Sequence, residues 1–389
     1  MKNKVYNFRI YPNQEQSILL TKTFGCVRKI YNLMLNERQE VYQQLKDDKD
    51  ALYSYNYRTE SDYKTEYDYM LEVDSIALQQ SRLNLQNAYK AFFSKQNKFP
   101  KFKNKHNRQS YRTVSVNKNL KVDFEDKKIK LPKLGWIKYS DNRTFEASIR
   151  SITISRNKAG NYFAAILVQE DIQHKQKLDN VLGIDLNIEY FAVVSTGQKV
   201  LSPKYYQKTE SKLAIEQKRL SRKKKGSNNK DKQRLKVAKL YQKIRNQKVD
   251  FLHKLSTKII DENQIIVLED LNIKDMLQNK YLSKSIQQQN WYEFVSMLKY
   301  KADWYGREVI QADRYFPSSQ LCSNCGYRNE NLKLSDRQWQ CPDCETFHDR
   351  DINAAINLTH TVGTAEINAC GDKSSRILHS AQESTSFRA

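Results

Sequence analysis

Residues 181–197 read VLGIDLNIEYFAVVSTG, two short apolar runs joined by a tight polar turn. Runs of this length, rich in Val, Ile and Phe and bounded by turn residues, predict a strand pair buried in a core. The decisive residue is the acid inside the first run. Asp185 lies between Ile184 and Leu186, and a buried carboxylate without a partner is costly. A second acid, Glu269, ends the apolar run QIIVLED, and a third, Asp351, opens the helical pattern DINAAINL. Any one of them alone reads as a helix cap or half of a salt bridge. Three together, on two core strands and the first turn of a helix packed on them, make an arrangement that holds a pair of divalent cations. Hard oxygen ligands favour magnesium or manganese. Two such ions about 4 Å apart activate a water and stabilise the leaving oxygen of a phosphodiester.

The residues before that helix leave alternatives open. Asp349 competes with Asp351 for the third acidic position, or else caps the helix or orients a ligand. His348 reads either as a neighbour that donates to the site or contacts substrate, or as a structural residue. Ala354 and Ala355 are small enough to let the helix approach a sheet closely.

Directly upstream, Cys322 and Cys325 in CSNCG and Cys341 and Cys344 in CPDC give two CxxC pairs fifteen residues apart. Two residues between cysteines let both thiolates face one ion, and the spacer is long enough for a hairpin that completes a tetrahedron. Four thiolates leave no open position, so the expectation is one structural zinc; a rubredoxin-like iron site uses similar knuckles. We expect the ribbon to stiffen a flap beside the acids. Of the six cysteines, Cys26 falls on an apolar helical stripe and reads as core, and Cys370 stands alone. The pattern suggests a reducing compartment and a metal, not disulfides.

Composition narrows the partners. The 389 residues carry 67 Lys/Arg against 44 acids, a net charge of +23. From Lys218 to Lys248 there are 14 basic residues and one acid, Asp231, so this stretch alone contributes +13. A second stretch, Lys95 to Arg112, has seven basic residues, no acid, and Phe99, Phe102 and Tyr111 interleaved. An A/T-rich genome inflates lysine everywhere, so clustering is what argues for function. Clustered charge gains from counterion release along a phosphate backbone, and aromatics stack on unpaired bases. Candidate contacts are Lys101, Lys103, Lys105, Arg108, Arg112, Arg222, Lys223, Lys224 and Lys225. The basic N-terminus lacks the apolar stretch of a secretion signal, and no window is long and apolar enough to span a bilayer. The absence of a glycine-rich phosphate loop and of a GxSxG elbow argues against a P-loop NTPase and an α/β-hydrolase.

Along the chain, VYNFRIYP predicts a strand stopped by Pro12. Asn13 caps a helix with Leu20, Phe24, Val27, Tyr31 and Met34 on one face. SIALQQSRLNLQNAYKAFF predicts a second helix, after a tyrosine-rich junction. KIKLPKLGWIKYS, SIRSITISR and NYFAAILVQE alternate and predict an antiparallel barrel or curved sheet, with KAGN as a hairpin turn. A new unit begins near Lys177. In it the basic stretch forms two long helices around KGSNN, and WYEFVSMLKYKADWYG is a helix ended by Gly306 that leads into the strand REVIQAD.

These motifs, together with YNFRIYPNQEQ, KFPKFKNKHNRQSYRT, LSRKKKGS, FPSSQLCSNCG, CPDCETFHDRDINAAINL and TAEINACGD, resemble the transposon-associated TnpB (OrfB) family, compact relatives of type V CRISPR effector nucleases. The resemblance implies a multidomain α+β and α/β chain: a wedge β-barrel (1–12 and 107–177) with a helical recognition insert (13–106), then a RuvC-like RNase H fold (178–320 and 346–360). Within that fold it implies an inserted zinc ribbon (321–345), and the two basic helices make a hairpin at about 207–258; the small, polar residues 361–389 read as a disordered tail. It implies Asp185, Glu269 and Asp351 as the catalytic, magnesium-binding acids. The implied activity is RNA-guided cleavage of double-stranded DNA beside a short transposon-adjacent motif, the guide coming from the transposon end. Gln79, Gln80, Thr113 and Ser115 are candidates for reading that motif. The implied setting is a prokaryotic cytoplasm, nucleoid-associated when on DNA, with one protein chain per RNA complex. The competing readings are a strand-transferring transposase and a catalytically silent RNA-guided repressor.

Overall fold

The N-terminal strand organises the first part of the molecule. In β1 (Lys2–Tyr11) every second residue is apolar, and Tyr6, Phe8 and Ile10 point inward with 6%, 0% and 2% exposure. The computed structural model describes residues 1–362 except 204 and 334, and their side chains except those of 206, 208 and 274. The tail expected to be disordered lies outside the described residues from 363 onward, as does Cys370. The described chain divides into two units: Met1–Ile172 with Glu216–Leu240, and Gln173–Ile215 with the chain from Tyr241 onward.

In the first unit β1 is followed by α1 (Gln14–Leu45), α2 (Lys49–Ser54), α3 (Glu60–Glu66) and α4 (Ser75–Phe93). The strands β2 (Gln109–Val114), β3 (Lys121–Asp123), β4 (Lys128–Leu131), β5 (Gly135–Ser140), β6 (Ser148–Arg156) and β7 (Tyr162–Glu170) complete a seven-stranded sheet in the order β2-β6-β7-β1-β5-β4-β3. The sheet is an open half-barrel with β2 and β3 at its edges, in keeping with the barrel or curved sheet expected from the alternation. β1 sits in its middle, paired antiparallel with β7 from Lys2↔Glu170 to Ile10↔Tyr162.

The alternating inward residues of this sheet share one core with Leu20, Phe24, Val27, Ile30 and Met34 of α1 and Leu78 and Leu85 of α4. Full burial of each such side chain stabilises by about 1.5–3 kcal/mol. Asn13 and Gln16 exchange the two hydrogen bonds of a capping box at the start of α1. The tyrosine-rich junction divides by burial. Tyr63 is enclosed and donates to the buried Glu37 carboxylate at 2.9 Å, while Tyr53 is 86% exposed.

The second unit is built on a five-stranded sheet: β8 (Val181–Asp185), β9 (Tyr190–Val194), β10 (Lys199–Leu201), β11 (Ile265–Glu269) and β12 (Glu308–Ala312), in the order β10-β9-β8-β11-β12. The first three strands form an antiparallel meander, and β8, β11 and β12 run parallel. α5 (Tyr205–Ser221) and α6 (Asn228–Glu262) are the two basic helices, turning at Gly226 with φ +85°. In the division into compact units the tip of this hairpin, 216–240, groups with the first unit. α7 (Ile273–Met276), α8 (Ser283–Gln289) and α9 (Trp291–Tyr305) follow β11. Phe191, Trp291, Phe294, Leu298 and Leu252 fill the core beneath the sheet. Last come β13 (Gln338–Gln340), β14 (Phe347–Asp349) and α10 (Arg350–His360). No described helix is long and apolar enough to cross a membrane.

Candidate active site and thiolate knot

The spacing in Leu-Gly-Ile-Asp explains how Asp185 is aimed. Residues two apart on a strand share a face, so Gly183 and Asp185 look the same way. α10 lies against that face so closely that a Cβ on Gly183 would sit 1.9 Å from the carbonyl oxygen of Ala355. Asp351 is one helical turn before Ala355, which carries it toward the end of β8 where Asp185 stands. On the neighbouring parallel strand Leu268 pairs with Ile184. Glu269 and Asp185 are therefore the next residues along on adjacent strands, on one side of the sheet.

The charges of the three acids act on one another. Asp185 is 9% exposed. Burial first, then Glu269, then Asp351 push its carboxyl up to about 8, with Asn187 and Arg350 pulling the other way. Burial also raises Glu269, opposed by a hydrogen bond from Ser318 and by Arg350. Asn187 Nδ2 donates to Asp351 Oδ2 at 3.0 Å and to Asp185 Oδ2 at 3.4 Å, bridging strand and helix. Ser318 Oγ donates to Glu269 Oε1 at 2.5 Å. Arg337 approaches Asp351 at 3.7 Å. A cavity of about 670 Å³ opens beside Glu269, lined by Leu186, Trp291, Tyr292, Tyr300 and Gln311 among others.

Asp349 takes the capping role. Its side chain accepts from the backbone N–H of Asp351 and of Ile352, both at 3.2 Å, and it pairs with Lys199 at 2.7 Å. That leaves Asp351 in the first turn, where the helix dipole favours a negative charge. His348 faces the cysteines. It is buried, its Nε2 lies 3.0 Å from Cys322 Sγ, and its ring packs on Trp339.

Ligand atoms of Cys322, Cys325, Cys341 and Cys344 all lie within 4.8 Å of one another. Among the described residues this is the one group of three or more Cys, His or acidic side chains drawn that close. The Cys322–Cys344 and Cys325–Cys341 sulfur separations are 3.5 and 3.6 Å. A tetrahedron with metal–sulfur bonds of about 2.3 Å has edges of about 3.8 Å, so the quartet fits a single ion of zinc's size.

The basic candidates do not all fare alike. Lys101, Lys105, Arg108 and Arg112 are exposed, as are Arg222, Lys223, Lys224 and Lys225 at the turn between α5 and α6. Lys103 instead lays its ammonium 3.7 Å from the centre of the Tyr31 ring, and burial lowers its pKa. Of the motif-reading candidates, Gln79 is exposed and Gln80 and Ser115 are half-buried. Thr113 is fully buried on the inward face of β2, out of reach of a base edge, and its hydroxyl has no hydrogen-bond partner. Sequence reasoning missed Asn187, Ser318 and Arg337. The inward position of Thr113 was legible, because it shares the parity of the core residue Tyr111.

The family model OrfB_IS605, described as "Probable transposase", matches residues 165–280. A "Cas12f1-like, TNB domain" model matches residues 291–358. A "Helix-turn-helix domain" model matches residues 1–47, although that stretch here is one strand and one 32-residue helix with no turn between helices. A "Putative RNA-guided DNA endonuclease" of Streptomyces pristinaespiralis is 37% identical, over 95% of this chain and 91% of that protein. InsQ of Escherichia coli, described in the same words, is 29% identical over 95% of this chain and 94% of its own length. Among solved structures, that of a Cas12f1–sgRNA–target DNA complex superposes with a TM-score of 0.56 at 11% identity, covering 92% of this chain and 98% of that one. That likeness speaks to the fold. The 37% identity to the Streptomyces protein over nearly the full length, with the match to OrfB_IS605, establishes that the chain belongs to the TnpB (OrfB) family.

Proposed function

We propose that this protein is an RNA-guided DNA endonuclease that hydrolyses phosphodiester bonds at Asp185, Glu269 and Asp351. The observation that carries the reading is the predicament of Asp185: a carboxyl only 9% exposed beside Glu269 and Asp351, pushed up to about 8 by burial and by those two acids against the pull of Arg350. Three carboxylates gathered at one end of a sheet repel one another, and a bound cation relieves that repulsion. The donor set, all carboxylate oxygens, suits magnesium or manganese. When bound, such a pair supplies an activated water and charge stabilisation at the scissile phosphate. The chain's residues do the positioning. Asn187 holds Asp185 and Asp351 at a common bridge, Ser318 fixes one oxygen of Glu269, and Asp349 anchors the helix that presents Asp351.

The meander followed by two parallel strands supports an RNase H-like, RuvC-type assignment for the second unit, and the thiolate quartet a structural zinc ribbon inserted in it. The exposed basic turn 222–225 and the stretch 101–112 would hold guide RNA and the guide–target heteroduplex through their backbones, leaving sequence to base pairing. The protein itself would read a short adjacent motif, with Gln79, Gln80 and Ser115 as candidates, and one chain would serve each RNA. The relatives named as RNA-guided endonucleases favour this over strand transfer and over a silent repressor.

The test is to purify the protein with its copurifying RNA, sequence that RNA, and incubate the complex with matching double-stranded DNA and magnesium. Cleavage that disappears in Asp185→Ala is the expected result. Joined strand-transfer products, or RNA consisting only of random fragments, would overturn the proposal.

A further inference from the structure

We propose that Asn353 and Asn357 are positioning residues that transmit the state of the thiolate knot to Glu269. Both lie on the inner face of α10, four residues apart, with 1% and 3% exposure. A buried amide there is unfavourable unless its hydrogen bonds are made, and these two make theirs to one short stretch of irregular backbone. Asn357 Nδ2 donates to the carbonyls of Ser318 at 2.8 Å and Leu321 at 2.7 Å. Asn353 Nδ2 donates to Leu321 O at 2.6 Å, and its Oδ1 accepts from Ser323 N at 2.9 Å. The bonds to Leu321 and Ser323 hold the backbone on either side of Cys322.

At its other end this stretch is Ser318, 4% exposed, whose hydroxyl is bound to Glu269. The helix that clasps the stretch carries Asp351 in its first turn. Its cap, Asp349, follows His348, which touches Cys322. The connections close a ring: Cys322, the 318–323 stretch, α10, Asp349, His348 and back to Cys322. A core polar residue that merely satisfies itself would not join a metal ligand to an acid in this way. With four thiolates held on an ion, Leu321 and Ser323 are fixed, the clasp holds, and Ser318 stays on Glu269. With the ion gone, the stretch is free to loosen and Glu269 regains rotamer freedom.

The inference rests on Glu269 belonging to the nuclease centre, but its zinc half stands apart from that reading. The test uses the full chain with its guide RNA, zinc-loaded and zinc-stripped. Asn353→Ala should weaken zinc binding by about ten-fold or more, read by competition with a chromophoric chelator. Ser318→Ala should leave zinc affinity alone and lower kcat for cleavage about ten-fold at unchanged KM. Ser318→Thr, which keeps the hydroxyl, should restore the rate. Asn357→Ala should match Ser318→Ala in the cleavage rate at saturating zinc, and the Asn357→Ala/Ser318→Ala double variant should lose no more rate than either single one. Backbone amides in 318–323 should exchange faster once zinc is stripped from the unaltered protein, a reading that needs no variant to fold. Unchanged exchange on stripping, additive losses in the double variant, or failure of Ser318→Thr to rescue would each overturn the proposal. If Asp185→Ala cleaves normally, the nuclease reading falls while zinc affinity and exchange still decide the clasp.

Discussion

Gly183→Ala isolates one methyl group at the contact between β8 and α10. Its Cβ would stand 1.9 Å from Ala355 O, 3.0 Å from Ala355 C and 3.1 Å from Thr359 Cγ2. Since Cβ atoms essentially never approach closer than 3.0 Å, helix or strand must move by at least 1.1 Å, the difference between 3.0 and 1.9. Both neighbours at closest range are backbone, so no side-chain rotation relieves the clash. Overpacking of this kind costs about 1–3 kcal/mol. Because Asp351 rides on α10 one turn away, the same shift separates it from Asp185, and a misplacement of about 1 Å at a reacting centre costs about 100-fold in rate. The assay is single-turnover cleavage of guide-matched DNA, run beside guide-RNA binding and thermal melting. Gly25→Ala is the control: it adds the same methyl in α1 where nothing lies within 4 Å. The expected outcome is a loss of about two orders of magnitude in cleavage, a lowered Tm and unchanged RNA binding for Gly183→Ala, with none of the losses in the control. Cleavage within about three-fold of the parent at an unchanged Tm would refute the argument that this close approach sets the acids, since a real shift predicts about 100-fold.

Asp185→Asn should abolish cleavage yet stabilise the metal-free protein. The folded-state carboxyl titrates near 8, above its ordinary 3.8, so the native state holds the proton longer than the unfolded chain and stability drains away as pH rises between those values. The Tm advantage of the variant should widen up to about pH 8; a constant gap would contradict it. Asn187→Ala removes the bridge between Asp185 and Asp351 and should lower cleavage by about 10- to 100-fold while raising the divalent-ion concentration needed for half-maximal rate. An unchanged ion requirement would assign Asn187 another role. Replacing Lys223, Lys224 and Lys225 with Ala should reduce the slope of log affinity for RNA against log salt by about 2, at about 0.7 per neutralised phosphate. An unaltered slope would mark that turn as an idle solvated face.

Elements governed by local rules were legible. The helix Ser75–Phe93 was read with both ends correct, as was the helix stopped by Gly306, whose φ of +69° suits glycine. Alternation gave β1, β6, β7 and the stretch that divides into β4 and β5, but not β2 or β3, and short apolar runs gave β8, β11 and β12. The acids were visible because a charge inside an apolar run contradicts its surroundings. What stayed hidden depends on residues meeting across large sequence separations. Nothing local marks Ser318 as the partner of Glu269, Asn187 as a bridge to Asp351, or Asn353 and Asn357 as a clasp on a loop thirty residues earlier. The surroundings of Lys103 were hidden for a related reason. Its charge belongs to a basic run, but Tyr31 claims the ammonium. Asp349 and Asp351 could be told apart only by the backbone N–H groups that the former accepts.

The central place of β1 has a bearing on how the molecule is made. β1 leaves the ribosome before either of the strands that flank it, and its longest partner, β7, ends at Glu170. At typical elongation rates the nascent strand waits on the order of ten seconds for that partner. Residues 216–240 arrive later still to complete the same unit. During that interval Tyr6, Phe8 and Ile10 have only the newly emerged helices to shelter them, so chaperone capture and premature truncation should both fall hardest on this half of the chain.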